Sequence, residues 1–385
     1  MVKITSTVLW NDLEDPNMTD KIRNNIEALT DNDLYPVIKC DSVYKIFGDN
    51  IERMMRKSDG KVDVKAFQEA GCIFGVNNAS FEVRKGEMLV VMGLSGSGKS
   101  TLLRCISRLT PTTAGKIFID GEDLLAMTGK ELIELRRNKM GMVFQSFALL
   151  PHKTVLENIA FPLQVKGANT QDSIKRAAGM IELVGLGGRE NYFPRQLSGG
   201  QQQRVGIARS LVVEPDIWFL DEPFSALDPL IRKEMQDEFL RLQGMLNKTI
   251  LFVTHDFDEA LRLADRIAIM KDGIIEQIDT PANIVLNPST EYVAKFTNDV
   301  PREKVLICEN VMEKLGDASD LSELRVSKDA IIETVAEAVL NEPKPVAVVG
   351  DDNETIGVLN SKTIIHALFG KNGAKPLGTV QTADE

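Results

Sequence analysis

The stretch with the clearest chemistry is a glycine-rich loop between a predicted strand and a predicted helix. It consists of Gly93, Leu94, Ser95, Gly96, Ser97, Gly98, Lys99, Ser100 and Thr101, and it fits the phosphate-binding pattern G-x-x-x-x-G-K-[ST]. A buried strand over 88–92 is predicted before it and a helix over 99–108 after it. The glycines let backbone N–H groups surround phosphate oxygens, Lys99 is placed to reach the β- and γ-phosphates, and the Ser100 hydroxyl to ligate Mg²⁺.

Two carboxylates follow a second apolar strand. The run 217–220 reads as a buried strand, and Asp221 and Glu222 come directly after it. Because α/β sheets bind ligands at the carboxyl ends of their strands, this position points to the nucleotide. Asp221 is predicted to hold Mg²⁺ directly or through water, and Glu222 to act as general base on the attacking water.

A histidine ends the next predicted strand. That strand spans 249–254, and His255 follows it in a chain that has only three histidines. A lone histidine is more often structural, but at a strand end it becomes a candidate for contact with the γ-phosphate.

A second anion-binding helix end is predicted at the run Leu-Ser-Gly-Gly-Gln. Ser198 suits the N-cap of a helix over 202–212. The neighbouring Gly199 and Gly200, followed by Gln201, leave the helix N-terminus open to a phosphate.

Gln145 ends another predicted strand and is followed by an apolar loop through Pro151 and His152. Surface loops keep such apolar side chains only when something covers them. Either the chain itself or a docked partner protein therefore packs on this loop.

A strand predicted over 37–48 carries two aromatic residues close to its end. Phe47 is the first candidate to stack on an adenine ring and Tyr44 the second. Packing in the protein core is the alternative role for both of them.

The composition restricts the class of function. The chain has 385 residues and a formal net charge of -11, which argues against non-specific binding to nucleic acid or anionic lipid. The cysteines are widely spaced without a C-x-x-C pair, so neither a zinc site nor a disulfide scaffold is predicted. No apolar run reaches the roughly 18–20 residues of a membrane span, and residues 12–15 are too acidic for a signal peptide. We therefore expect a cytosolic chain that serves a membrane only through a partner.

The predicted elements divide the chain into three parts. Residues 1–36 form a polar and acidic extension that we expect to be flexible. Residues 37–296 alternate strands and helices, which predicts an α/β fold. This part holds a helical insertion at 49–72 and a helical subdomain at about 143–212. Residues 297–385 form a smaller C-terminal region.

These motifs occur together in the order and spacing of an ABC-type ATP-binding cassette, and residues 37–296 resemble that family. The resemblance implies a P-loop NTPase fold that binds ATP and Mg²⁺ and hydrolyses ATP. It also implies a homodimer in which Ser198 and Gly200 of each cassette act on the nucleotide of the other. The resemblance implies catalytic roles for Glu222, His255, Gln145 and Lys99. It implies metal binding by Ser100, Gln145 and Asp221. The nucleotide contacts that it implies are Phe47, the phosphate loop, Ser198, Gly199, Gly200 and Gln201. Gln145 would also couple the nucleotide to a membrane subunit.

Four segments resemble a narrower group more closely. They are 44–48, 92–101, 142–149 and 224–232, and they are similar to the ATP-binding subunit of glycine betaine/proline importers. That group takes up methylated-amine osmolytes with a membrane permease and an extracytoplasmic solute-binding protein. The resemblance implies a peripheral subunit on the cytoplasmic face of the inner membrane. It leaves glycine betaine, proline betaine, choline and trimethylamine N-oxide open, with an amino acid or another small solute as the alternative.

The C-terminal region departs from the pattern of that group. Its members commonly carry two tandem cystathionine-β-synthase-type (CBS) modules, whereas residues 297–370 resemble only one, in a small α+β arrangement. We predict a helix over 326–340, strands over 345–349 and 355–359, and a helix over 362–369. A single module could pair with its twin across a dimer or be vestigial, so a role in sensing ionic strength or nucleotide stays open.

Two functions from other classes are weighed against transport. ABC ATPases that act on nucleic acid or ribosomes usually carry two cassettes or a long coiled coil, and neither pattern occurs here. A regulator that binds nucleotide without turnover would not need Glu222 and His255. We therefore favour a transport ATPase.

Overall fold

The computed structural model describes residues 36–298, 300–315 and 320–369. Its strands are β1 Pro36–Phe47, β2 Ile73–Arg84, β3 Met88–Met92, β4 Ala114–Ile119, β5 Glu122–Asp123, β6 Met140–Val143, β7 Ile217–Asp221, β8 Thr249–Thr254, β9 Arg266–Lys271, β10 Ile274–Asp279, β11 Glu313–Lys314, β12 Arg325–Ser327, β13 Val346–Val349 and β14 Thr355–Leu359. Its helices are α1 Ile51–Lys57, α2 Val64–Glu69, α3 Lys99–Ile106, α4 Gly129–Lys139, α5 Val155–Val165, α6 Thr170–Leu183, α7 Gly199–Leu211, α8 Pro229–Leu246, α9 Phe257–Leu263, α10 Pro281–Leu286, α11 Glu291–Thr297, α12 Cys308–Val311, α13 Ile332–Asn341 and α14 Ser361–Phe369. Nearly all of the predicted N-terminal extension, and the tail beyond 369, lie outside the described residues.

A six-stranded sheet in the order β10-β9-β3-β8-β7-β6 carries the predicted site. Strands β6, β7, β8, β3 and β9 are parallel, and β10 pairs with β9 in antiparallel fashion. Every residue of β3, β7 and β8 is buried, as expected for parallel strands covered on both faces. The parallel arrangement brings the carboxyl ends of β3, β6, β7 and β8 to one edge of the sheet.

A second, antiparallel sheet lies beside the first in the order β2-β1-β4-β5. Helix α3 joins the two because its apolar face, Leu102, Leu103 and Ile106, is buried among residues of both sheets. The spacing of these three residues predicted that face, and burial of each side chain stabilises the fold by roughly 1.5–3 kcal/mol.

Helices α5, α6 and α7 pack on one another beside the six-stranded sheet. The sequence pattern of 170–192 predicts one helical stretch, but α6 ends earlier, at Leu183, because the chain turns at Gly185 with φ 65°. Helix α7 begins at Gly199 rather than at 202. The Ser198 hydroxyl accepts a hydrogen bond from the Gln201 N–H at 3.3 Å, and the Gln201 side chain accepts one from the Ser198 N–H at 3.0 Å. This reciprocal cap starts the helix three residues before its apolar pattern becomes visible.

The predicted insertion at 49–72 contains the two short helices α1 and α2. Phe67 of α2 is buried together with Ile46 of β1 and Cys72, and the half-buried Met54 and Met55 of α1 pack against them. The insertion therefore has a small apolar core of its own at the end of β1.

The C-terminal region folds around a four-stranded sheet in the order β11-β14-β13-β12. The predicted helix over 326–340 is wrong in its first part. Residues Arg325–Ser327 form β12, which pairs in parallel with β13, and the helix begins only at Ile332. A three-residue segment such as this one follows its pairing partner rather than its helical propensity. The two later strands and the final helix agree with the prediction to within one residue.

Four aromatic side chains form the apolar centre under the six-stranded sheet. Phe239 of α8 lies with its ring centroid 5.2 Å from Trp218, 6.0 Å from Phe224 and 5.9 Å from Phe252. We expect Phe239→Ala to lower the free energy of unfolding by about 3–5 kcal/mol, because it leaves a cavity among three rings. Chemical denaturation would measure the loss. Phe161→Ala is the matched control, since that ring is 37% exposed, and an equal loss in both variants would contradict this account.

In the part of the chain that the structure describes, none of the helices is long and apolar enough to cross a membrane.

Candidate active site

The phosphate loop connects β3 to α3 and approaches two other strands closely. At Gly98, with φ 102°, a Cβ atom would lie 2.1 Å from the Gly75 carbonyl oxygen of β2. At Gly93, with φ 156°, it would lie 2.1 Å from the Met270 carbonyl oxygen of β9. Any side chain at either glycine would therefore displace backbone. These contacts fix the path of the loop, which ends at the open N-terminus of α3.

The Lys99 ammonium lies across this loop. Its Nζ donates hydrogen bonds to the carbonyl oxygens of Gly93 at 2.9 Å and Leu94 at 3.0 Å. The side chain is buried, and burial lowers the pKa of Lys99, while the nearby Glu222 and Asp221 carboxylates act in the opposite direction. The loop thus holds a cation beside its backbone N–H groups, which suits the phosphates of a nucleotide.

Ser100 and Asp221, 121 residues apart in the chain, meet at the edge of the sheet. The Ser100 hydroxyl donates to Asp221 Oδ1 at 2.6 Å, and the buried Asp221 carboxylate ends β7. A hydroxyl and a carboxylate are the hard oxygen ligands that Mg²⁺ takes beside nucleotide phosphates, so these residues fit the ion. When bound there, Mg²⁺ would supply positive charge to the phosphates.

Glu222 is brought together with Gln145 and His255. Its Oε2 accepts a hydrogen bond from Gln145 Nε2 at 3.2 Å and lies 3.1 Å from His255 Nδ1. The backbone of Glu222 adopts φ 47°, a left-handed conformation that is unfavourable for this residue type. Its N–H donates to the Val253 carbonyl oxygen of β8 at 2.9 Å, which holds the turn. The left-handed turn and the two polar side chains therefore fix the direction of the Glu222 carboxylate.

The N-terminus of α7 lies on a different element from the phosphate loop. Ser198 is exposed, and a Cβ atom at Gly200 would meet Ile231 of α8 at 2.6 Å. Among the hydrogen bonds of the described residues, none joins 198–201 to the loop 93–101. Within one chain, these two predicted anion-binding ends are thus separate.

Phe47 ends β1 with its side chain 45% exposed, close to the phosphate loop. The nearest atoms to a Cβ placed on Gly75 are Phe47 Cε2 and Thr101 Cγ2, so the ring lies next to the start of α3. The Lys45 ammonium is 5.0 Å from the ring centroid. An exposed ring in this position is free to stack on a planar base, whereas Tyr44 is half-buried.

Three residues near the site belong to none of the sequence motifs and were not predicted from the sequence. Arg104 of α3 forms an ion pair with Asp221 at 3.5 Å. The Tyr292 hydroxyl of α11 accepts from the Leu94 N–H at 3.5 Å. Arg209 of α7 donates to backbone carbonyls of the loop after Gln145. Each lies far from its partner in sequence, so no local pattern could have identified it.

Comparison with known proteins gives a consistent result. Residues 76–225 match the family model described as ABC transporter. The chain is 73% identical over 336 residues to the trimethylamine N-oxide transport system ATP-binding protein TmoW of Pelagibacter ubique, covering 87% of this chain and 98% of that one. The TmoW protein of Ruegeria pomeroyi is 56% identical over 87% of this chain and 97% of its own length.

Two further matches cover less of the chain. The glycine betaine transport ATP-binding protein OpuAA of Bacillus subtilis is 52% identical over 72% of this chain and 66% of its own length. A solved ATP-binding cassette, a dimer in a post-hydrolysis state bound to ADP and Pi, is 34% identical with a TM-score of 0.53. That match covers 63% of this chain and 98% of the solved one.

Proposed function

The chain belongs to the ABC transporter family, and from this premise we propose that it is the ATP-hydrolysing subunit of an importer for trimethylamine N-oxide. The choice of solute rests on how much of the chain matches TmoW. That match covers 87% of this chain at 73% identity, whereas the match to the glycine betaine protein covers 72% at 52%. The likeness to the trimethylamine N-oxide proteins therefore extends further along the chain than the likeness to the betaine proteins.

In this proposal, each side chain of the site has one task. Lys99 and the N–H groups at the start of α3 hold the phosphates, while Ser100 and Asp221 hold Mg²⁺. Glu222 accepts a proton from the attacking water, and Gln145 and His255, both in contact with its Oε2, fix the direction of the carboxylate. Phe47 stacks on the adenine ring.

A second copy of the chain completes the site. Ser198 and the open N-terminus of α7 have no hydrogen bond to the phosphate loop of their own chain among the described residues. They are suited to a γ-phosphate held by a partner subunit, because a helix N-terminus favours anions. The solved cassette of similar sequence is a dimer, which supports this arrangement.

The remaining partners lie outside the chain. We propose that the loop from Gln145 to His152 docks onto a membrane permease at its cytoplasmic face, and that an extracytoplasmic binding protein delivers the solute. Phe147 and Leu149 of this loop are only partly buried against the core, and the exposed Phe161 lies on the following helix. A permease surface would cover these apolar groups. For the C-terminal region, the strand and helix order from β12 to α14 supports a single CBS-like module.

The direct test is the ATPase activity of the chain reconstituted with its permease and binding protein in liposomes. We expect several-fold stimulation by trimethylamine N-oxide, because the solute-loaded binding protein favours the closed pair of cassettes. Glycine betaine, proline betaine, choline and a neutral amino acid are the comparison solutes, each at low and high salt. Stimulation by glycine betaine but not by trimethylamine N-oxide would overturn the solute. Activity indifferent to all of them would overturn the osmolyte class while leaving the ATPase intact.

A further inference from the structure

The loop after β6 contains two adjacent residues in a strained backbone conformation. Phe147 has φ 58° and Ala148 has φ 49°, and neither is a glycine. The left-handed region is unfavourable for both residue types, so such a pair persists only where surrounding groups hold it. The two residues follow Gln145 by only two and three positions, so their conformation sets the path of the loop that leaves the site.

One arginine of helix α7 holds both strained residues. Arg209 Nη1 donates to the Ala148 carbonyl oxygen at 2.6 Å, and Nη2 donates to the Phe147 carbonyl oxygen at 2.9 Å. A planar guanidinium matches two adjacent carbonyls in this way, whereas an ammonium has no such fork. Burial lowers the pKa of Arg209, but a guanidinium stays protonated in proteins. The two hydrogen bonds are thus charge-assisted.

The later half of the loop has a separate anchor. The fully buried Asn158 of α5 accepts from the Leu150 N–H at 2.8 Å, and its Nδ2 donates to the carbonyl oxygens of Leu150, Lys153 and Thr154. Arg209 is therefore not needed to keep residues 150–154 in place. Its hydrogen bonds act on the strained pair, between this anchor and Gln145.

The same helix carries Ser198 at its other end. A helix of 13 residues moves as a rigid rod, so a displacement of its N-terminus appears at Arg209, close to its C-terminus. We propose that Arg209 is a positioning residue that ties the strained pair Phe147–Ala148 to α7, so that movement of the Ser198 end is transmitted to the loop that follows Gln145. The transmission of movement rests on the function proposed above. The two hydrogen bonds from Arg209 to Phe147 and Ala148, which we call the clamp, do not depend on it.

The clamp is tested on the free chain by residue-resolved hydrogen exchange in Arg209→Lys, which keeps the charge and loses the fork. We expect the Phe147 and Ala148 amides to exchange about ten-fold faster, because local opening no longer breaks two charge-assisted hydrogen bonds. The Leu150 amide, held by Asn158, should not change. Arg204→Lys is the matched control, since Arg204 lies on the same helix and donates to Val184 instead. Unchanged exchange at Phe147 and Ala148, or an equal effect in the control, would overturn the clamp.

Transmission is tested in the reconstituted complex by the ratio of solute-stimulated to basal ATPase activity. We expect Arg209→Lys to lower this ratio about five-fold with the KM for ATP unchanged, since binding contacts stay intact. Adding Ala148→Gly should not restore the ratio, because glycine adopts φ 49° without strain but does not reconnect the loop to α7. A purely structural role would instead lower basal and stimulated activity together, or would let Ala148→Gly restore the ratio, and either result would overturn transmission. Absence of stimulation in the wild-type complex would count against the proposed function, while the exchange experiment would still decide the clamp.

Discussion

Replacement of Glu222 by glutamine is expected to lower the rate of ATP hydrolysis by about 100- to 10,000-fold, the range typical for loss of a general base. The amide has the shape of the carboxylate but cannot accept a proton from water. Nucleotide affinity should stay unchanged, because Lys99, Ser100 and Asp221, which would hold the phosphates and the metal ion, make no hydrogen bond to Glu222. ATP should then accumulate in the bound state, which favours the closed dimer.

Three measurements check this expectation. Phosphate release gives the hydrolysis rate, equilibrium binding of a fluorescent ATP analogue gives the affinity, and light scattering with ATP gives the mass of the particle. The matched control is Glu234→Gln, an exposed carboxylate on α8 outside the site. Wild-type turnover in Glu222→Gln would show that another group accepts the proton.

The second large effect concerns Lys99. We expect Lys99→Ala to weaken ATP binding by about 100-fold or more, since an ammonium–phosphate contact is a charge-assisted hydrogen bond inside a buried loop. Without the ammonium, the carbonyl oxygens of Gly93 and Leu94 also lose the donor that they share. Isothermal titration with ATP would measure the affinity.

The control for this variant is Lys116→Ala, which removes an exposed lysine from β4. A thermal melt of both variants separates loss of the binding site from loss of the fold. If Lys99→Ala folds normally and binds ATP with wild-type affinity, the nucleotide does not occupy the phosphate loop in the proposed way.

Features that depend on neighbouring residues in the chain could be predicted from the sequence. The buried strands β3, β7 and β8 were visible as apolar runs, and the cap of α7 as Ser198 followed by Gln201. The positions of Asp221, Glu222 and His255 at strand ends followed from one rule, that parallel strands present their carboxyl ends at the same edge. The structure brings Gln145, Glu222 and His255 together at that edge.

Predictions were wrong where a distant partner decides the local structure. Residues Arg325–Ser327 belong to a strand because β13 pairs with them, although their sequence continues the apolar pattern of the helix that follows. A three-residue strand has little propensity of its own, so its pairing partner decides its state. Helix α6 ends at Leu183 for a local reason. Gly185 signals the end of a helix, but the helical pattern around it led to the prediction of a longer one.

By itself, the sequence determined the family, the order of the strands along the chain and the candidate residues for the chemistry, because motifs and caps act over a few positions. Only the tertiary structure decided the direction in which the side chains of those residues point. The left-handed turn at Glu222, the ion pair from Arg104 to Asp221 and the hold of Arg209 on Phe147 and Ala148 join groups between 31 and 117 residues apart. Such contacts form only when packing of the apolar core brings distant segments together, and they favour conformations that the local chain would not adopt.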